Sequence, residues 1–250
     1  MKKFSIITCV WNSEPYIEQC IRSVQSQLHQ GIEHLFIDGG STDGTLERIQ
    51  QLPGNVRYVT GVRGGIAHAM NVGAQLAEGE FIAHLHGDDW YLHPNVIGHV
   101  ETALSVSAAD WLYGRAVDDM DGILSYPSWK VQEFSFKNIL SKNFISHPTV
   151  FIRRSLFEKV GGFNEEYKYA MDYDLWLRLA KSSQPTYLAE YLTAFRRHAG
   201  STSTANPVAT FREDLAIRLN HARGTSISPW MFKAIHNWRS CKRWVNAKWP

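Results

Sequence analysis

Over the first ninety residues, short dense apolar runs alternate with longer, periodic ones. Residues 3–10 form a near-continuous apolar run, the pattern of a parallel strand covered on both faces. Asn12 to Glu14 turns the chain, and Pro15 suits a first helical turn. Tyr16, Ile17, Cys20, Ile21, Val24 and Leu28 then recur at helical spacing. Residues 33–37 predict a second strand ending at Asp38. The turn-rich GGSTDGT follows, in which Ser41, Thr42 or Asp43 caps a helix over 46–52. A third strand over 56–59, the loop GVRGG, a helix over 66–77 and a fourth strand over 80–86 complete the series. Such β-α-β-α-β-α-β alternation implies a parallel sheet with right-handed crossovers.

The later chain is less regular. Strands are expected over 110–117, 149–152 and 186–192, and DDMDG reads as a hairpin tip. Short helices are expected over 134–140 and 155–160, the latter broken by Gly161-Gly162. Asp172 reads as the cap of a helix carrying Leu175, Leu179 and Ala180, and FRRHAGSTSTANP reads as a loop. A helix over about 208–223 precedes a tail of different character. In 230–249, Trp230, Ala234, Trp238, Cys241, Val245 and Trp249 share one helical face.

Composition changes this picture at two points. Across 250 residues the net charge is only +2, yet the tail from Gly224 onward holds five Lys and Arg and no acid. A basic, Trp-rich amphipathic helix is the pattern of a membrane-interface element. Three cysteines without a C-x-x-C pair argue against a disulfide framework or structural zinc, and fit a reducing compartment. The opening MKKFSIITCVW imitates a signal peptide but lacks a small-residue cleavage site, so it reads as a buried first strand. No run reaches transmembrane length.

The candidate chemistry gathers at the strand exits. The fourth strand, in GEFIAHLHGDDW, runs into adjacent carboxylates, Asp88 and Asp89. Asn12, Asp38 and Arg63 follow the other three strands, and ligands of open α/β sheets bind at such carboxyl ends. Oxygen ligands suit Mg²⁺ or Mn²⁺ and the phosphates they neutralise. The same stretch also reads H-x-H-x-D at His84, His86 and Asp88, the opening of a zinc-hydrolase ligand set, although Asp89 stands where that motif continues with histidine. A non-catalytic nucleotide-sugar binding protein is a third reading. No G-x-G-x-x-G follows the first strand, which argues against a dinucleotide-binding dehydrogenase.

FSIITCVWNSEPYIEQCIRSVQSQ, EHLFIDGGSTDGT, GGIAHAMNVGAQLAEGEFIAHLHGDDW and MDYDLWLRLA together resemble, in order, the family 2 inverting glycosyltransferases. The likeness runs from about residue 3 to 203 and is strongest to bacterial enzymes of exopolysaccharide, O-antigen and colanic-acid type. It implies a GT-A fold: an α/β domain over 1–203 with a mixed central sheet flanked by helices. Residues 1–90 would hold the nucleotide-sugar and 91–203 the acceptor, and 204–250 would form a helical basic tail. The resemblance places Thr8 and Asp38 at the nucleotide base and Arg63 near base or diphosphate. It puts Asp88 at ribose and metal shell, Asp89 as the metal ligand, and Asp172 as general base. His198 would approach metal or diphosphate, and Arg196 would back the phosphates. Asp174 is the competitor for the base role.

The implied cofactor is Mn²⁺ or Mg²⁺. The implied donor is a UDP-sugar and the acceptor a lipid-linked or polysaccharide hydroxyl, at the cytoplasmic face of a membrane reached through the tail. No nucleic-acid partner is expected. The chain departs from the family pattern where His86 replaces an acid, Gly39 replaces the second acid of D-D-G-S, and Met171 stands where many relatives carry glutamate.

Overall fold

A computed structural model of the chain describes residues 3–52, 56–127, 133–198, 206–223 and Thr225. The run that opens the sequence becomes β1 (Phe4–Val10), with all seven residues buried. It lies between β2 (Ile32–Asp38) and β4 (Phe81–His84), parallel to both, and β3 (Arg57–Val59) extends the parallel set beyond β2. Crossovers α1 (Glu14–Gln25), α2 (Thr45–Gln50) and α3 (Ile66–Leu76) join these strands as the alternation predicts.

Each central strand is buried on both sides, so its period of two divides side chains between two cores. Phe4, Ile6, Val10, Phe36, Phe81 and Ala83 face the layer of α1 and α4 (Val96–Ser107). Ile7, Cys9, Leu35, Ile37 and Ile82 face α3 and the later helices. Burial of one such side chain contributes about 1.5–3 kcal/mol, so a strand apolar on both faces takes the middle of the sheet. Gly73 lets α3 approach: a Cβ there would stand 2.4 Å from Ile7 Cγ2.

Beyond β4 the sheet becomes mixed. With β5 (Trp90–Tyr91), β6 (Trp111–Met120), β7 (Ile123–Ser125), β8 (Phe151–Arg153) and β9 (Thr186–Arg196), its order is β3-β2-β1-β4-β8-β6-β9-β5, and β7 pairs with β6. β8 is antiparallel to both β4 and β6, whereas β9 runs parallel to β6. The β6–β9 register shifts opposite Gly114, where β9 carries the extra residues between Tyr187 and Tyr191, a bulge beside which a cleft opens. α5 (Phe136–Ser141), α6 (Arg154–Lys159), α7 (Met171–Ser182) and α8 (Pro207–Ala222) complete the described elements.

Several sequence expectations change. α1 ends at Gln25, and Leu28 is exposed, its N–H donating to the Pro94 carbonyl. The cause is Gln27, whose amide turns the chain by bonding both Ser23 and His93 carbonyls. β9 runs past its expected end at 192 and two residues into the expected loop, to Arg196. α4 and β5 lie where no element was expected. α8 packs Ile217, Arg218, His221 and Ala222 into the structure, so the first part of the segment after 203 is built onto the domain. The Trp-rich stretch 230–249 lies outside the described residues, among which no helix is long and apolar enough to cross a membrane.

Candidate active site

The exits of β1 and β2 are knitted into one surface by short polar bonds. Asp38, at the end of β2, accepts from the Gly40 and Ser41 N–H groups and the Ser41 hydroxyl. The Asn12 N–H donates to Ser41 Oγ, and Asn12 Oδ1 accepts from Thr42. The Asp38 carbonyl accepts from Val62 N–H, which brings the loop bearing exposed Arg63 beside the same turn. Gly64 and Gly65 release that loop into α3 at φ of +123° and +95°, values costly for any residue with a Cβ. The Asp38 carboxylate therefore builds the turn first, whatever ligand it also meets.

Beside this turn the β4 exit supplies the paired acids. Asp89 is buried; its Oδ1 accepts from the Arg196 N–H at 3.0 Å, and its Oδ2 has no hydrogen-bond partner among the described residues. Burial and the charge of neighbouring Asp88 raise its pKa well above the carboxylate range, with Arg196 pulling the other way. Asp88 Oδ2 lies 3.0 Å from His198 Nε2, and the His198 ring packs on Tyr16. Arg196 lies over the rings of Tyr16 and Trp90 and bonds Asp119, itself buried, through Nε at 3.0 Å. The end of β9 is thus what orients Asp89, Asp88 and His198.

A buried carboxylate oxygen with no partner is expensive unless a donor or cation meets it. The hard oxygens of Asp88 and Asp89, with the His198 imidazole at hand, fit Mn²⁺ or Mg²⁺. These three do not form a closed ligand cage. Such ions are commonly held by one or two carboxylates, with phosphate and water completing the shell. Among the described residues the group of three with ligand atoms within 4.8 Å of one another is His93, His99 and Glu190.

The zinc-hydrolase set does not assemble. His84 is buried with Nε2 3.3 Å from the Met70 carbonyl, His86 stacks on His147, and Asp88 turns to His198.

Asp172 lies not at a helix cap but in the first turn of α7, whose N-cap is Ala170. Half-buried, it accepts from Tyr173 N–H at 2.6 Å and lines a cleft of about 240 Å³ with Tyr113, Arg115, His147, Tyr187 and Arg197. Burial raises its pKa to about 6; the Tyr173 N–H opposes this, and Asp214 and Glu213 add to it. Asp174 meets the opposite environment. Its oxygens bond Arg178 Nε and His221 Nε2, both at 2.8 Å. Burial alone would raise its pKa, but those partners hold it below the usual carboxylate value. Of the two, Asp172 is the group at the cleft.

Glu213 of α8 fixes the approach to that helix. Its carboxylate accepts from the N–H groups of Lys168, Tyr169 and Ala170 at 2.6–2.8 Å. Sequence reading missed this contact, because nothing local links residue 213 to 168.

Thr8 stands apart from the other expected residues. It is fully buried on the α1 side of β1, and its hydroxyl lies 2.8 Å from His34 Nε2. A residue the sequence reading overlooked is Trp11, 70% exposed and packed against Gly39 beside the Asp38 turn. An aromatic at the exit of a buried strand was its available signal.

A profile of the glycosyl transferase family 2, described as Glycosyl transferase family 2, matches residues 5–161. An uncharacterized glycosyltransferase of Mycobacterium tuberculosis is 30% identical over 83% of this chain and 79% of its own length. A chondroitin synthase of Pasteurella multocida is 32% identical over 81% of this chain, which spans only 21% of that protein. Among solved structures, S. aureus TarS in complex with UDP-GlcNAc has a TM-score of 0.75 at 21% identity, covering 92% of this chain and 69% of that one. Mannosyltransferase PcManGT of Pyrobaculum calidifontis, in complex with GDP-Man and Mn²⁺, has a TM-score of 0.69 at 18% identity, covering 94% and 68%. These likenesses establish the GT-A fold.

Proposed function

The chain belongs to glycosyl transferase family 2, and from that premise we propose that it is an inverting, metal-dependent transferase moving one sugar from a UDP-sugar to a hydroxyl of a lipid-linked or polysaccharide acceptor. The observation that carries this reading is the partnerless buried oxygen of Asp89 beside Asp88 and His198 at the exit of the central parallel strands. In this reading Asp89 holds Mn²⁺ or Mg²⁺, and Asp88 and His198 stand at its edge. A bound divalent ion supplies Lewis-acid neutralisation of the charge that builds on a departing diphosphate.

The chain's own groups do the rest. Trp11 offers an exposed indole face to the nucleobase, and Asp38 keeps the turn beneath it rigid, with acceptor capacity left for a base N–H. Arg63 lies on the loop bonded to the Asp38 carbonyl and reaches the diphosphate from there. Arg196 acts through its backbone and its pair with Asp119, orienting Asp89 rather than gripping phosphate. Thr8 supports the strand from inside. Asp172 takes the proton from the acceptor hydroxyl as that oxygen attacks the anomeric carbon, and a carboxylate with pKa near 6 is a competent base at neutral pH.

The basic Trp-rich tail would hold the enzyme against anionic lipid at the cytoplasmic leaflet, near a lipid-linked acceptor. A surface-polysaccharide role, exopolysaccharide or lipopolysaccharide, is consistent with this placement.

The test is a panel of UDP-, GDP- and dTDP-sugars with Mn²⁺, scored for slow hydrolysis of the donor. Hydrolysis confined to UDP-sugars and lost with EDTA is expected. Preference for a GDP-sugar would overturn the donor assignment, and undiminished hydrolysis in EDTA would overturn the metal.

A further inference from the structure

The end of β9 sets a cation of the chain's own beside Asp89. The Arg196 N–H bonds Asp89 Oδ1, so the Arg196 side chain starts next to a buried carboxylate whose Oδ2 has no hydrogen-bond partner among the described residues. A guanidinium is the natural partner for such a group, because its fork binds both carboxylate oxygens and a paired charge is cheaper to bury than a single one. Arg196 gives its Nε to a different carboxylate instead.

That carboxylate is Asp119. It stands opposite Arg196 in the β6–β9 register, is 1% exposed, and accepts from Arg196 Nε at 3.0 Å through Oδ2. Its own position is fixed from the hairpin between β6 and β7. Oδ1 accepts from the Gly122 N–H at 2.7 Å, and the Asp119 carbonyl accepts from the Arg197 N–H at 2.9 Å. The Tyr16 and Trp90 rings lie 4.8 and 4.7 Å from Arg196 Cζ and keep the guanidinium plane in place. Charge follows geometry here: Asp119 cancels Arg196, which leaves the paired acids Asp88 and Asp89 to attract a cation from outside.

We propose that Asp119 is a positioning residue for the metal site: it holds the Arg196 guanidinium off Asp89 and cancels its charge, so that Asp89 Oδ2 meets a divalent cation rather than an arginine. The proposal rests on the metal reading above and adds the group that restrains the cation's nearest competitor. It also gives the acidic hairpin DDMDG a role at a site to which it contributes no ligand.

The test titrates Mn²⁺ into the full chain, with free ion read from its EPR signal. Asp119→Asn leaves the Arg196 charge uncancelled beside Asp89 and should weaken Mn²⁺ roughly tenfold. Asp119→Asn combined with Arg196→Gln removes competitor and charge together. That double variant should return Mn²⁺ affinity to within about threefold of the wild type, a rescue that a merely structural defect would not show. Asp118→Asn breaks the neighbouring pair with Arg197 and should leave Mn²⁺ affinity unchanged. Removing one partner of a buried pair can unfold a chain, so a second measurement uses the wild type alone. Its Arg196 Nε–H resonance, assigned by its absence from the double variant, should be protected from exchange and stay so when Mg²⁺ and UDP are added. Wild-type Mn²⁺ affinity in Asp119→Asn, a double variant no better than the single one, an equal loss in Asp118→Asn, or a freely exchanging Nε–H would each overturn the role of Asp119 while leaving the metal at Asp89 standing. A wild-type chain that fails to bind Mn²⁺ would overturn the reading beneath it.

Discussion

Asp172 and Asp174 stand two residues apart in the first turn of α7 and do opposite work. Both were visible in MDYDLWLRL, but the sequence could not separate them, since their difference lies in partners from Arg178 and from distant His221. Thr8 was misjudged for a related reason: alternation along β1 sends it toward α1 and His34, and no local pattern tells which face of a doubly buried strand meets a ligand. Asp88 and Asp89 stood out in the sequence because a buried strand runs straight into two adjacent acids, and the structure sets both at the exit of β4. The raised pKa of Asp172 gives a pH prediction. Below about pH 6 the base is protonated, so kcat should fall about tenfold per unit there in a pH–rate profile. Asp172→Asn should bind UDP normally and lose turnover at every pH. Its stability has a definite sign as well. The folded-state pKa lies above the unfolded one, so ionising Asp172 costs stability as pH rises from about 4 to about 6. Asp172→Asn should therefore melt above the wild type at pH 7.5, with the gap closing near pH 4. A gap that widens on acidification would contradict the assignment.

The four parallel strands and three crossover helices follow from period alone, as the sequence implied. What period could not supply is pairing. β8 enters antiparallel between β4 and β6, an order decided by tertiary contacts among residues some seventy positions apart, such as Phe81 with Arg153. β9 outruns its apolar core because Arg196 finds Asp89 and Asp119 at its end. α4 carries Val96, Ile97, Val100 and Leu104 at helical spacing and should have been read. α8 is the element whose role is least visible locally. It reaches α7 through His221–Asp174 and fixes residues 168–170 through Glu213. Glu213→Ala should loosen the segment that aims Asp172 and lower kcat on the order of ten- to hundredfold. UDP affinity in calorimetry should not change. Asp174→Ala breaks a buried pair and should destabilise the fold by about 3 kcal/mol in urea denaturation. Wild-type stability in Asp174→Ala would mean that α8 is not held through this contact.

The whole molecule divides its labour across one sheet: the parallel strands end at the paired acids, and the mixed strands wall the cleft beside Asp172. The family was legible because several motifs stand in order along the chain. The cleft was not, because its lining residues come from β6, β9 and the turn before β8. The basic tail belongs to this scale too. Deleting residues 229–250 should move the protein from the membrane fraction to the soluble one without changing its activity on water-soluble acceptors. An unchanged distribution on flotation would assign those tryptophans to packing. The central claim is that Asp89 carries the cation that grips the donor diphosphate. Calorimetric titration of UDP into the wild-type chain and into Asp89→Asn, each with Mn²⁺ and with EDTA, addresses it most directly. Binding should require both Mn²⁺ and the intact carboxylate; UDP bound equally well by Asp89→Asn, or in EDTA, would contradict it.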